Sequence, residues 1–252
     1  MPSLEFSNLP LVEVTIRLST TRPLQFSVTN AVDLHLALKP RLPLVDDLVE
    51  LEPAPGRPAI LEFGPGRILG ARYRDPSRGL YVGVQHSVVF ARWIRDDAKP
   101  YPRFTALSDL LWFAVDRLHE KMGEVRFDVA NMSYTNFVTT KDANVQEFLD
   151  RYFVEAVRPR ILEDTDQFHD LNMSWRSKDS VDFRLLIERG EASLTSPIKR
   201  DEGYKIATVA GTRFTEGVAP KDVVQKLHDQ LQMLFGSILS EKAKKEWGYA
   251  QP

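Results

Sequence analysis

The sequence predicts an α+β protein built on antiparallel sheets, in which two similar lobes, each a β-meander followed by a long amphipathic helix, pack as one unit. Three observations predict it. Short runs of alternating apolar and polar residues recur with turn chemistry between them. Two long stretches carry apolar residues at three- and four-residue spacing. The order of strands and then helix occurs twice, which divides the chain into a lobe over residues 1–140 and another over 141–252.

The first run, from Leu11 to Leu18, sets Val12, Val14, Ile16 and Leu18 against Glu13, Thr15 and Arg17 at the period of a half-buried strand. Asn30 is expected to cap a short helix through Leu34 and Leu38, stopped by Pro40 and Pro43 because proline has no amide hydrogen to give. Glu52 to Pro58 reads as a loop. Runs at Ala59 to Phe63, Ile68 to Arg74 and Leu80 to Trp93 form the first meander, with Gly64-Pro65-Gly66 and Asp75 to Gly79 as its turns. Read as one continuous strand, the third run puts Leu80, Val82, Val84, His86, Val88 and Phe90 on one face, so His86 is expected in the core. Tyr81, Gly83, Gln85, Ser87 and Trp93 take the other face.

Thr105 then caps a helix carried by Leu107, Leu110, Leu111, Ala114, Leu118 and Met122, and Gly123 closes it. A strand from Val125 to Val138 precedes a helix that starts at Asn144, buries Val145, Phe148, Leu149, Tyr152 and Phe153, and ends at Pro159. The second meander runs from Leu171 to Trp175, turns at Ser177 to Ser180, continues from Val181 to Glu188, and returns from Tyr204 to Phe214. Pro220 opens the last long helix, whose apolar face is Val224, Leu227, Leu231, Leu234, Phe235 and Ile238.

Composition narrows the function. Of the 252 residues 43% are hydrophobic and 27% charged, the balance of a globular chain. The 33 Lys and Arg against 35 Asp and Glu leave a net charge of −2, so any polyanion would have to find a local patch. Absence of cysteine removes disulfides, thiolate zinc sites, iron–sulfur centres and a thiol nucleophile. No stretch approaches the ~20 apolar residues of a membrane span and the N-terminus lacks a secretion signal, so a cytoplasmic location without a membrane partner is expected.

Candidate chemistry is sparse. Glu163, Asp164, Asp166, His169 and Asp170 crowd one segment, and Asp164, Asp166 and His169 are the set that could hold a divalent metal for a nuclease or hydrolase. Their spacing matches no calcium-loop or zinc signature, which favours a solvated acidic loop. His119-Glu120 opens like a zincin motif, but Gly123 stands where the second histidine belongs. Gly64 to Gly70 lacks phosphate-loop spacing, and Ser196-Pro197-Ile198-Lys199 lacks the companions of an S-x-x-K nucleophile. Tyr81, Gln85, Trp93 and Tyr101 could line a groove for a small molecule or nucleotide. Arg92, Arg95, Arg158 and Arg160 could grip a phosphate backbone. Lys242, Lys244 and Lys245 read as decoration of a solvated last helix, and no cofactor is expected.

Gly70 to Asp75, Leu80 to Trp93, Tyr101-Pro102-Arg103-Phe104, the opening strand Pro10-Leu11-Val12-Glu13-Val14 and the closing Leu227-His228 to Phe235 together resemble a sporadically distributed bacterial family of uncharacterised proteins of this length. That resemblance implies an accessory or defence-linked role beside a toxin or effector, and it supplies no catalytic residues. Taken together, the expectation is a non-enzymatic interaction protein, a homodimer or a subunit of a complex with a protein encoded nearby. A small-molecule or nucleotide binding module is the alternative, and a metal-dependent hydrolase the next.

Overall fold

Alternation in the sequence becomes pleat wherever one side of a strand can be covered, and the apolar stripes of the helices do the covering. The computed structural model describes residues 5–6, 9–47, 70–95, 101–139, 145–158, 170–192 and 201–250. A two-residue strand, β1 (Glu5–Phe6), is followed by β2 (Leu11–Thr20), which buries Val14, Ile16 and Leu18 fully and leaves Arg17 exposed.

Helix α1 (Val28–Leu38) starts one turn earlier than the Asn30 cap expected. Ser27 is the cap: its side chain accepts from the Asn30 amide while the Asn30 side chain accepts from the Ser27 amide, a reciprocal box that satisfies two otherwise orphaned donors. Asn30 misled because it belongs to the residues that favour caps, yet here it closes the box from inside.

Strands β3 (Leu44–Asp47), β4 (Gly70–Asp75), β5 (Leu80–Gln85) and β6 (Val88–Ile94) pair in antiparallel order. The run from Leu80 to Trp93 is thus a hairpin rather than one strand, with Gln85 opposite Val88 and only His86 and Ser87 between. The turn inverts the facing of everything after it. Leu80, Val82 and Val84 share their buried face with Trp93, Ala91 and Val89, and His86 stands exposed in the turn instead of in the core. Gly79, at φ 64, makes the preceding turn in the left-handed region that a side chain would strain.

Helix α2 (Arg103–Met122) lays Leu107, Leu111, Ala114 and Leu118 on β5 and β6, while α1 packs on β4 and α2. Pro102, not Thr105, stands at its start, so Thr105 lies exposed in the first turn. Gly123 ends the helix as expected, at φ 80.

The other elements are β7 (Phe127–Thr139), α3 (Val145–Tyr152), β8 (Asp170–Arg176), β9 (Asp182–Ala192), β10 (Asp201–Arg213), α4 (Pro220–Ile238), α5 (Glu241–Glu246) and β11 (Tyr249–Ala250), which pairs with β1. β8 and β10 flank β9, which turns Leu185 and Ile187 toward a core rich in rings. Phe148 lies 4.0 Å from Tyr204, Tyr152 stacks 5.3 Å from Trp247, and Phe235 covers Trp247 at 6.1 Å. The Ser240 hydroxyl caps α5 by accepting from the Ala243 amide at 3.1 Å.

The nine-stranded antiparallel sheet runs β3-β4-β5-β6-β2-β7-β10-β9-β8. The chain divides into two compact units, and the divisions fall inside β2, β7, β10 and α4. One unit comprises Thr15–Ala130 and Arg213–Lys221; the other comprises Met1–Val14, Asn131–Thr212 and Asp222–Pro252. They are called here the β3–β6 unit and the β8–β10 unit.

Candidate functional site

Register decides which of the expected site residues can act together. In the β3–β6 unit the strand pairings put Leu44, Arg74, Tyr81 and Arg92 in one row across the sheet, and Asp46, Arg72, Gly83 and Phe90 in the next. These rows look away from α1 and α2, whose side of the sheet holds Tyr73, Val82 and Ala91. Asp46 bonds both Arg72, at 3.0 Å, and Arg74, at 2.7 Å. The Arg72 guanidinium lies 6.0 Å from the centre of the Tyr81 ring. Phe90 lies over Gly83, where a Cβ would come within 2.2 Å of its ring.

Of the four residues expected to line a ligand groove, Tyr81 and Gln85 are half-buried on this open face. Trp93 is buried on the helix-covered face, tilted against Tyr101 at 5.1 Å. They form two pairs back to back. Arg92 joins the open face and Arg95 follows β6 in exposed chain. Arg158 belongs to the other unit, where it donates to Asp150 at 2.6 Å; hydrogen bonds from Arg158 and Gln146 hold that carboxyl below its ordinary pKa. Arg160 and the possible metal set Asp164, Asp166 and His169 lie outside the described residues, as do Gly64 to Leu69 and Ser196 to Lys199. Lys242 and Lys245 are exposed on α5, and Lys244 reaches Glu241 at 2.7 Å.

The helical side of the same unit carries a feature that the sequence reading passed over. α1 buries Ala31, Leu34 and Leu38, yet Val28, Val32 and Leu36, spaced four apart on its outer side, are 50, 52 and 62% exposed. The helix is apolar on two faces, and only one is seated. A groove between α1 and α2 runs beside this stripe, lined by Asn30, Asp33, Leu36, Ala37, Arg117 and Lys121. Its charges are internally matched: Lys121 meets Asp33 at 3.0 Å and Arg117 meets Glu120 at 2.6 Å. Arg41 and Arg117 both lie over the Phe113 ring, at 4.7 and 5.1 Å. The recurrence of an aliphatic residue every fourth position was the signal, and it was legible.

In the β8–β10 unit the polar chemistry is internal. His228 on α4 is buried, and its Nδ1 shares a 2.7 Å hydrogen bond with the Tyr134 hydroxyl of β7. Burial pushes the imidazole pKa down to about 4, against a smaller upward pull from Asp229, so the ring is neutral at physiological pH. Thr208 donates a long bond, 3.5 Å, to the Tyr134 carbonyl. Asn136, wholly buried two residues along β7, finds no hydrogen-bond partner for either side-chain amide atom among the described residues. His119, half of the zincin-like pair, bonds the Val125 carbonyl at 3.0 Å, and Glu120 is taken by Arg117.

Among the described residues, no three of His, Asp and Glu gather where they could hold a metal ion, and no helix is long and apolar enough to cross a membrane. No family model matches the chain, and no curated protein matches it.

Proposed function

We propose that this chain is a non-catalytic interaction protein that works as a subunit of a complex, and that α1 is the face on which a second copy docks. One observation carries this reading: the stripe of Val28, Val32 and Leu36 left in water on a helix whose other face is already seated. Covering the half-exposed side chains would stabilise an assembly by roughly 1 kcal/mol apiece. An isologous contact needs a patch that complements itself. A stripe spaced evenly about Val32 does so. Two antiparallel α1 helices set Val32 on Val32 and Val28 on Leu36, and Asp33 beside the axis is already held by Lys121 at 3.0 Å, so bare carboxylates do not meet.

An accessory, defence or toxin-immunity setting in the cytoplasm, beside a protein encoded nearby, accords with the family resemblance and is proposed on that footing. Sedimentation equilibrium tests the dimer. The parent chain is expected to be a dimer at micromolar concentration and Val32→Glu a monomer with an unchanged circular dichroism spectrum. A parent chain that stays monomeric up to about 100 µM, a concentration at which only contacts worth less than ~5.5 kcal/mol stay open, overturns the reading.

A further inference from the structure

Strand β3 ends the order of the nine-stranded sheet, and among the described residues it pairs only with β4. Val45 stands opposite Tyr73, so its side chain lies on the face that the helices cover. Tyr73 is wholly buried there, yet Val45, one strand further out, is 43% exposed. The same tyrosine fixes where α1 crosses the sheet: its hydroxyl donates to the Ala31 carbonyl at 2.9 Å, and its ring stacks on His35 at 6.2 Å. The middle of α1, with Val32 next to Ala31, is therefore level with Val45 along the strands. At about 3.6 residues per turn, Val28 and Val32 fall on the flank opposite Asn30 and Ala37, which line the groove against α2. The aliphatic stripe and Val45 thus form one apolar surface along the β3 edge of the sheet.

Resting on the docking of a second copy through α1, we propose that this copy also adds its β3 to the edge, so that two antiparallel β3 strands join the sheets beneath the paired helices. A two-fold axis normal to the sheet keeps both helices on one side and runs them antiparallel. It passes between Val45 and its copy just as it passes between Val32 and its copy. The widths agree. Strands β4 and β3 with their copies, at about 4.8 Å each, span about 19 Å, which two helices of about 10 Å cover. Charge selects the register: Asp46 set on its own copy would bring like charges face to face. Val45 set on its copy instead puts Leu44, 44% exposed on the open face, opposite the Asp46 that Arg72 and Arg74 hold. An evenly spaced helix stripe could slide by a turn, and the strand ladder forbids it.

The chain contains no cysteine, so a single introduced one can bond only to its copy. Directly opposed residues of an antiparallel pair stand about 4.5–5.5 Å apart at Cα, inside the range that a disulfide spans. Residues offset by two positions stand roughly 7–8 Å apart, beyond it. Val45→Cys, mildly oxidised at micromolar concentration, is therefore expected to run as a covalent dimer on a denaturing gel, and Leu44→Cys to form one roughly ten-fold more slowly or not at all. Val32→Cys reports on the helix contact in the same assay. Val45→Lys should weaken the dimer roughly ten-fold or more in sedimentation equilibrium, because a charged side chain on an edge strand opposes pairing. Circular dichroism of each variant separates a lost contact from a lost fold.

A dimeric parent in which Val32→Cys bonds while Val45→Cys stays reduced overturns the strand pairing and leaves the α1 docking standing. So does a dimer that Val45→Lys leaves intact, or cross-linking at Val45 that keeps the parent rate in the Val32→Glu background, since one axis must serve both contacts. A monomeric parent removes the α1 docking and the strand pairing together, so the two failures are told apart.

Discussion

The open sheet faces of the two units pair their cations in different ways. In the β8–β10 unit each cation meets a complement on the neighbouring strand: Arg176 bonds Asp182 directly across at 2.5 Å, Lys205 reaches Glu188 across the next pair at 3.5 Å, and Arg184 donates to Asn172 at 2.8 Å. In the β3–β6 unit Arg72 and Arg74 share Asp46. The interiors reverse the contrast. Among the described residues, Thr135, Asn136, Thr208 and His228 are buried polar groups of the β8–β10 unit, whereas the β3–β6 unit buries only Asp75, which Ser77 and Arg78 hold. One unit keeps several polar groups inside; the other packs aliphatic and aromatic side chains around a single held carboxylate.

Two core substitutions probe that contrast first. The largest effect is expected from Phe148→Ala, which empties the centre of the ring-rich core beside Tyr204 and should cost about 3–5 kcal/mol in urea unfolding. Leu111→Ala, in the core of the other unit, should cost about 2–5 kcal/mol. If Phe148→Ala leaves the melting of the β3–β6 unit in place as a separate transition, the units are energetically independent. A single transition that shifts as a whole breaks that independence.

Acid is the next probe. His228 takes a proton near pH 4 in the folded chain and near 6.5 when unfolded, so between those values the unfolded chain binds more protons. Stability conferred by the neutral ring is complete above pH 6.5 and falls as the pH drops toward 4, by about 3 kcal/mol. His228→Gln should remove most of that pH dependence, measured as the denaturant midpoint at pH 7 and pH 4.5. An unchanged slope in the variant would assign the acid sensitivity elsewhere.

The smallest effect compares two strand glycines. A Cβ on Gly203 would come 2.2 Å from the Val138 carbonyl oxygen, which is backbone and cannot move aside, whereas one on Gly83 would meet the Phe90 ring, which can rotate. Gly203→Ala should therefore cost about 1–3 kcal/mol and Gly83→Ala less, read from thermal unfolding. Equal costs would show that Phe90 is locked over Gly83.

Much of this was legible along the chain. Alternation from Leu11 to Leu18 and the stripe from Leu107 to Leu118 are local patterns, and they became β2 and α2. What escaped depends on pairing. The order of residues 80 to 93 contains the facing of Trp93 only if one knows that His86 and Ser87 turn the chain, because a hairpin reverses parity at its turn. The partner of His228 lies 94 positions away, so a histidine with no neighbour in sequence gained one in the core. The Arg and aromatic rows of the open face are likewise a product of register: Arg74, Tyr81 and Arg92 come from three strands and belong to no common motif. Asn30 is a different case, a true cap-forming residue acting from the wrong side of the helix start.

The interleaving of the two units has a consequence for the order in which the chain can acquire structure on the ribosome. Nearly all of the β3–β6 unit is contained in one uninterrupted stretch, Thr15–Ala130, while the β8–β10 unit waits for α4, α5 and the β11 strand that takes up β1. During vectorial synthesis the first unit can close while the second is still being made. The early strand segment Leu11–Val14 must then be kept unspent until its late partners emerge. Slowing translation after residue 130 should favour correct folding, and a nascent chain stalled with that stretch wholly outside the ribosome should already protect β4, β5, β6 and α2 from protease.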